Sequence, residues 1–234
     1  MTQKQSSDVV WHHATVHRQG NRMKLCSWFI LLPLALVSLT ARAGIEAEWS
    51  LFDSVAVFAG QGADHNLKEL PGRIVAGDIA WEKSYFNALG FRKTGEAVGH
   101  SWEMLRGTPL AAILQGYELV LAQHHGMQDN AEVGVAYTLR TPDLELGAAG
   151  VNFATGVGLS YALGTPSYED GPLNDPGKRY RLQLLLLFDL EWKLRGYGDW
   201  SLVTRVHHRS GVYGLIAPSH VGSNFLALGI RYKF

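Results

Sequence analysis

In the stretch Arg181–Leu194, RLQLLLLFDLEWKL, every second residue from Leu182 onward is apolar, and most of the residues between them are polar or charged. Successive side chains of a β-strand point to opposite faces, so this alternation predicts a strand with one apolar and one largely polar face. The run exceeds the usual strand of about 5 to 6 residues and suits a tilted membrane crossing. Its apolar face holds Leu182, Leu184, Leu186, Phe188, Leu190, Trp192 and Leu194, opposite Arg181, Gln183, Leu185, Leu187, Asp189, Glu191 and Lys193.

Similar alternation elsewhere in the chain brings the number of predicted strands to eight, an even number, as in bacterial outer-membrane barrels. We therefore predict an all-β fold: an eight-stranded antiparallel transmembrane β-barrel of the outer membrane. A soluble, secreted lipid-binding barrel would alternate in the same way and remains an alternative. The predicted strands span residues 54–61, 74–83, 113–123, 130–140, 149–163, 180–194, 199–210 and 223–234.

The segment 84–112 fits this scheme poorly. Ser84–Arg92 either extends the second strand or adds another, and Glu96–Arg106 has the composition of a short helix. With both ends of the barrel domain in the periplasm, the connections at 62–73, 124–129, 164–179 and 211–222 are expected to face outward. The connections at 141–148 and 195–198 then face the periplasm and are shorter.

The composition excludes some classes of protein. Lys plus Arg and Asp plus Glu both number 21 in the 234 residues, so there is no basic excess for binding nucleic acid. Charged residues make up only 18%, while Gly numbers 26 and aromatics reach 11%, which agrees with a membrane barrel. The single cysteine, Cys26, lies in a segment that we expect to be removed.

Residues 1–43 are interpreted as an N-terminal extension and a secretory signal peptide. Met23-Lys24 precedes an apolar run up to Val37, and Ala41-Arg42-Ala43 has the small-x-small pattern of a cleavage site. We expect cleavage after Ala43, with residues 44–234 forming the barrel domain. Either Met1 or Met23 is the true start of translation.

Candidate chemistry lies in Ser201–Ser210, SLVTRVHHRS. Its alternation places His208 and Ser210 on the face turned toward lipid, and in the next strand Asn224 can lie opposite either of them. Polar side chains on an apolar surface are costly unless they serve a purpose. A His can take the proton of a Ser as general base, and an Asn can hold the imidazole in one tautomer. A nucleophile that faces lipid implies an ester within a lipid.

These residues resemble the lipid A 3-O-deacylase (PagL) family, also described as acyloxyacyl hydrolases. The likeness rests on His208-Arg209-Ser210 in the seventh strand and, less specifically, on Ala80–Phe86. It implies an eight-stranded outer-membrane barrel that hydrolyses the 3-O-acyl ester of lipid A without metal or cofactor. Ser210 would be the nucleophile, His208 the base and Asn224 the orienting group. The sequence departs from the family where Asn224 replaces a Glu and Gly211 an Asn.

By position alone, we expect the backbone of Gly211 and of Gly214 to supply oxyanion donors. Lipid A of lipopolysaccharide in the outer leaflet is the expected partner, and a homodimer is possible. The end of the chain, Gly229–Phe234, resembles the C-terminal signal of outer-membrane proteins, which implies insertion by the outer-membrane assembly machinery through Phe234. The alternative function is a non-enzymatic barrel with a structural or adhesive role.

Two further sets of side chains receive structural interpretations. His124-His125 is expected to be an outer-loop pair rather than a metal site, and no metal is expected. Several charged residues on the inward faces of the strands are expected to fill the lumen as an ion network, namely Glu132, Asp189, Glu191, Arg205, Arg209 and Arg231.

Overall fold

Eight long antiparallel strands close into a barrel. The computed structural model describes residues 51–169, 180–194, 196–218 and 221–234, and the predicted segments at residues 1–43 lie outside this part of the chain. Within it the strands are β1 (Ser54–Ala63), β2 (Trp81–Ala97), β3 (Leu114–Gly126), β4 (Ala131–Arg140), β5 (Leu144–Leu146), β6 (Ala149–Leu163), β7 (Leu182–Leu194), β8 (Trp200–Ser210) and β9 (Gly222–Lys233). The short β5 pairs only along the end of β6.

The sheet has no free edge among the long strands. β1 pairs with both β2 and β9, and β4 pairs with β6 over its whole length, so the eight long strands form a ring. Closure satisfies the backbone N–H and C=O groups of every strand, as a barrel in an apolar medium requires. The predicted fold class, an eight-stranded antiparallel β-barrel, is confirmed at this level.

The alternation of side chains follows the predicted faces. In β7 the side chains of Gln183, Leu185, Leu187, Asp189 and Glu191 are buried in the lumen, and those of the intervening residues point outward. The outer face of the other strands is also apolar, and its exposed residues include Tyr117, Leu121, Val133, Val135, Tyr137, Phe153, Val157, Leu159, Leu228 and Ile230.

The lumen is filled by side chains. One ion network joins Arg92 and Arg205 to Glu118 and Asp189, with N···O distances of 2.6–2.7 Å, and includes Arg231. A second network surrounds Glu132, and an aromatic and aliphatic layer lies against both networks. The predicted interior ion network is confirmed. Arg92, Glu118 and Glu169 are members that the sequence did not predict.

The connections divide between the two ends of the barrel. One end, here called the loop end, carries the β1–β2, β3–β4, β6–β7 and β8–β9 connections. The opposite end carries the N-terminus of β1, the C-terminus of β9, and the remaining connections, including helix α2 (Val98–Ser101) and two 3-10 helices, Glu103–Leu105 and Pro109–Ala112. No helix in the described part of the chain is long and apolar enough to span a membrane.

Two predictions about local structure are wrong. The predicted strand 74–83 is replaced by helix α1 (Leu70–Ala76), which ends because Gly77 adopts a left-handed φ of 69° and donates to the carbonyls of Arg73 and Ile74. The following strand instead runs through Ala97 and accounts for residues 84–97 of the segment that fitted poorly. The His124 side chain is fully buried in the lumen and not in an outer loop.

Candidate active site

His208 and Ser210 project from the outer face of β8 at the loop end. In this strand the side chains of Val203, Arg205, His207 and Arg209 are buried in the lumen, so those of the alternate residues point away from it. His208 and Ser210 are half-buried, and Ser210 is the last residue of the strand. The outward orientation predicted for this pair is observed.

Asn224 lies opposite His208 in the register of β8 and β9, whereas Ser210 lies opposite Gly222. Its Oδ1 is 2.8 Å from Nδ1 of His208, and its Nδ2 donates to the carbonyl oxygen of His65 at 2.7 Å. An amide oxygen can only accept, so Nδ1 of His208 must carry the hydrogen. The other ring nitrogen, Nε2, is then unprotonated and has the lone pair that a general base needs.

The Ser210 hydroxyl is not hydrogen-bonded to the imidazole in the part of the chain that the structure describes. Its Oγ accepts a hydrogen bond from the backbone N–H of Val212 at 3.1 Å, and no hydrogen bond to His208 is present among the described residues. Side chains two positions apart on one strand face are separated by roughly 7 Å along the backbone. Oγ must therefore move toward Nε2 before His208 can take its proton, and such contacts are often long before substrate binds.

The turn after Ser210 bears on the expected oxyanion donors. The Gly211 N–H donates to the carbonyl of Val221 at 3.1 Å, so this donor is already engaged. Gly214, with a φ of 100°, ends the 3-10 helix Val212–Gly214. Val212 and Tyr213 both have left-handed φ, 54° and 51°, directly after the αR conformation of Gly211. Successive αR and αL residues turn their N–H groups toward one concavity, which favours an anion.

The inward faces of β8 and β9 behind the site are held by Glu169 from the β6–β7 connection. Its carboxylate pairs with Arg209 and accepts from Ser223 at 3.1 Å and Gln183 at 2.8 Å. Its carbonyl oxygen accepts from Gly222 N at 3.0 Å. Arg209 lies between His208 and Ser210 in sequence, so Glu169 fixes the strands whose outer faces carry the candidate residues.

Sequence reasoning missed His65 and Glu169. Both lie in connections, where alternation gives no information, and both reach the site from 40 or more residues away in sequence. His65 acts through its peptide carbonyl, which every residue type carries, so no pattern of side chains predicts this contact. Glu169 is an acid in a loop that we expected to face outward, and only its complete burial reveals its role.

The histidines of the lumen form a separate group. Glu132 accepts from His124 Nε2 at 2.8 Å and lies 3.1 Å from His207 Nε2, and all three side chains are fully buried. The rings of both histidines pack against Phe86. In the part of the chain that the structure describes, no group of three or more His, Cys, Asp or Glu side chains is arranged to hold a metal ion.

Comparison with known proteins supports the fold. No protein-family model matches the chain, and no curated protein matches it significantly. Among solved structures, it is similar to the crystal structure of the outer membrane enzyme PagL, with 14% identity and a TM-score of 0.51, over 77% of this chain and 99% of that chain. It also matches Neisserial surface protein A (NspA), with 13% identity and a TM-score of 0.40, over 79% and 98% of the two chains. The similarity to the PagL structure supports the same β-barrel fold for this chain.

Proposed function

We propose that this protein is an outer-membrane esterase that hydrolyses the ester-linked 3-O-acyl chain of lipid A. One observation carries the proposal: on the outer face of the barrel, Asn224 holds His208 in the tautomer that leaves Nε2 free as a base, two residues from a serine. Because this face is largely apolar, a substrate that reaches Ser210 is expected to have its acyl chains in the lipid phase.

The proposed location rests on the outer surface of the barrel. Large apolar side chains such as Val135, Val157 and Leu159, each about half exposed, form a continuous face that a soluble protein would rarely present to water. The fold shared with the outer membrane enzyme PagL agrees with this location. Insertion by the outer-membrane assembly machinery through Phe234, and a homodimer, belong to the same proposal.

The proposed mechanism has two steps. Ser210 Oγ attacks the ester carbonyl while His208 Nε2 takes the hydroxyl proton, and the imidazolium then gives this proton to the departing sugar oxygen. Water next attacks the acyl-enzyme, losing its proton to Nε2, and the fatty acid leaves as Ser210 regains a proton. Throughout, Asn224 Oδ1 keeps accepting from Nδ1. We assign the oxyanion to the N–H groups of Val212 and Tyr213 in the turn directly after Ser210, in place of Gly211; the Val212 N–H, which now donates to Ser210 Oγ, lies next to the nucleophile.

The test replaces the nucleophile. Ser210→Ala is expected to leave the barrel folded and to abolish release of the 3-O-acyl chain from lipopolysaccharide, measured by mass spectrometry of lipid A. Thr204→Val, on the same outer face of the strand, is a matched control that should release fatty acid at the wild-type rate. Undiminished release by Ser210→Ala would refute the assignment of the nucleophile.

A second candidate is a non-enzymatic barrel that works through its loops. The specific observation in its favour is that the Ser210 hydroxyl contacts Val212 N and not the imidazole. Lipid A from cells with and without the protein separates the two functions. An identical acyl composition in both would support the non-enzymatic barrel.

A further inference from the structure

His65 lies at the neck of the β1–β2 connection, and both its peptide and its ring are engaged. Its carbonyl oxygen accepts from Asn224 Nδ2, and its ring Nε2 accepts from the backbone N–H of Ala80 at 2.9 Å. Asp64 N also donates to the carbonyl of Ala80 at 2.9 Å. The two sides of the neck are therefore joined by two hydrogen bonds, of which the His65 ring supplies one.

We propose that His65 is a positioning residue that sets the tautomer of His208 through Asn224. The terminal torsion of an Asn side chain has two nearly equivalent orientations. In the observed one, Oδ1 faces the imidazole and requires a hydrogen on Nδ1. In the flipped orientation, the NH₂ group would face Nδ1, moving the ring hydrogen to Nε2 and removing the base.

The His65 carbonyl selects between these two orientations. It can only accept, so it binds the NH₂ group and directs Oδ1 toward His208. No other hydrogen bond of the Asn224 side chain is present within the described residues. The orientation of the Asn224 amide therefore depends on the position of the His65 carbonyl. That position depends in turn on the hydrogen bond between the His65 ring and the N–H of Ala80. The β1–β2 connection therefore contributes a positioning residue to the candidate active site.

The tautomer can be measured without any enzyme assay. In the full barrel, refolded in detergent with ¹⁵N-labelled histidine, the ring nitrogens of His208 are assigned by difference from His208→Gln. Wild type is expected to show hydrogen on Nδ1 alone, and His65→Ala a mixture of both tautomers. His65→Gln keeps an acceptor at a similar reach and should restore the wild-type pattern. His125→Ala, on the outer face of β3 at the loop end, is the matched control and should change nothing.

The catalytic consequence rests on the proposed function. With purified lipopolysaccharide, His65→Ala is expected to lower kcat by about tenfold at unchanged KM, the effect of one lost hydrogen bond, and His65→Gln to recover it. An unchanged His208 tautomer in His65→Ala overturns the positioning role. A wild-type protein that releases no acyl chain overturns the esterase instead, and the tautomer measurement still decides the role of His65.

Discussion

At the scale of single residues, the turn after Ser210 holds two non-glycine residues in a conformation that L-amino acids avoid. Val212 has a φ of 54° and is β-branched, which makes a left-handed backbone especially unfavourable. Backbone strain of this kind persists only where the surrounding structure enforces it, and it concentrates at functional sites. Here the strained conformation directs the Val212 N–H at Ser210 Oγ. The strain therefore falls where the proposed mechanism needs fixed donors.

Substituting Val212 separates strain from catalysis. Both Val212→Asn and Val212→Gly are expected to stabilise the barrel by about 1 kcal/mol, because Asn and Gly tolerate a positive φ. Only Val212→Gly should also lower kcat for lipopolysaccharide, since glycine leaves the N–H groups less firmly oriented. Unfolding midpoints and acyl release measure the two effects. Wild-type kcat in Val212→Gly would argue against a role for this turn in binding the oxyanion.

At the scale of elements, alternation predicts the strands well where one face is uniformly apolar. The predicted runs 149–163 and 180–194 agree closely with β6 and β7. It fails at β2, where Gly90, Arg92 and Thr94 occupy inward positions and outward Asn87 and Lys93 interrupt the apolar face. Alternation also led to a predicted strand where the chain forms the helix Leu70–Ala76. Ile74 and Val75 suggest a strand there because they are apolar, but both are exposed.

The candidate site was predictable only in part, for a physical reason. Strand periodicity places His208 and Ser210 on one face, and antiparallel pairing brings Asn224 within reach of either. The choice of His208 as the partner of Asn224 depends on the register of β8 and β9, which the sequence left open. The hydrogen-bond partners from loops, His65 and Glu169, depend on how the connections fold back over the barrel.

The turn between β4 and β5 is expected to weaken in acid. Partial burial raises the pKa of Asp143, but hydrogen bonds from Lys193 and Asn152, both at 2.7 Å, outweigh this and the pKa lies below its usual value. The stabilisation is therefore present at neutral pH and is lost as pH falls through that lowered value. Asp143→Asn should cost about 0.5 kcal/mol at pH 7, a value limited by solvent screening.

The pH dependence of this effect provides the check. Unfolding of wild type and Asp143→Asn should differ at neutral pH and converge once the pH falls below the lowered pKa of Asp143. Asp129→Asn serves as the control for loss of a surface carboxylate, because Asp129 forms no ion pair among the described residues. A constant difference between wild type and Asp143→Asn across this range would contradict the stated role of the carboxylate.

At the scale of the whole molecule, the barrel reverses the arrangement of a soluble protein. Its charged side chains are enclosed: Arg205 and Asp189 are 2% and 1% exposed and joined by two hydrogen bonds. Enclosed charges are tolerated only when paired, and in the lumen Glu118, Asp189 and Glu191 each have arginine partners from more than one strand. Large apolar side chains cover most of the outer face. The polar lumen and apolar exterior together match a barrel that exposes its outer face to lipid.

A charge introduced on the outer surface is therefore expected to destabilise the barrel only in the part of that surface that faces the hydrocarbon region. Val135 lies at the middle of β4 and is 54% exposed on the outer face, whereas Val75 lies in α1 at the loop end and is 88% exposed. In phospholipid vesicles, Val135→Lys is expected to lower the free energy of unfolding by about 2–4 kcal/mol, because the ammonium group must enter the hydrocarbon region. The same change at Val75, outside that region, should have little effect. If both substitutions were equally tolerated, the outer face would be in contact with water, and the protein would be a soluble lipid-binding barrel instead.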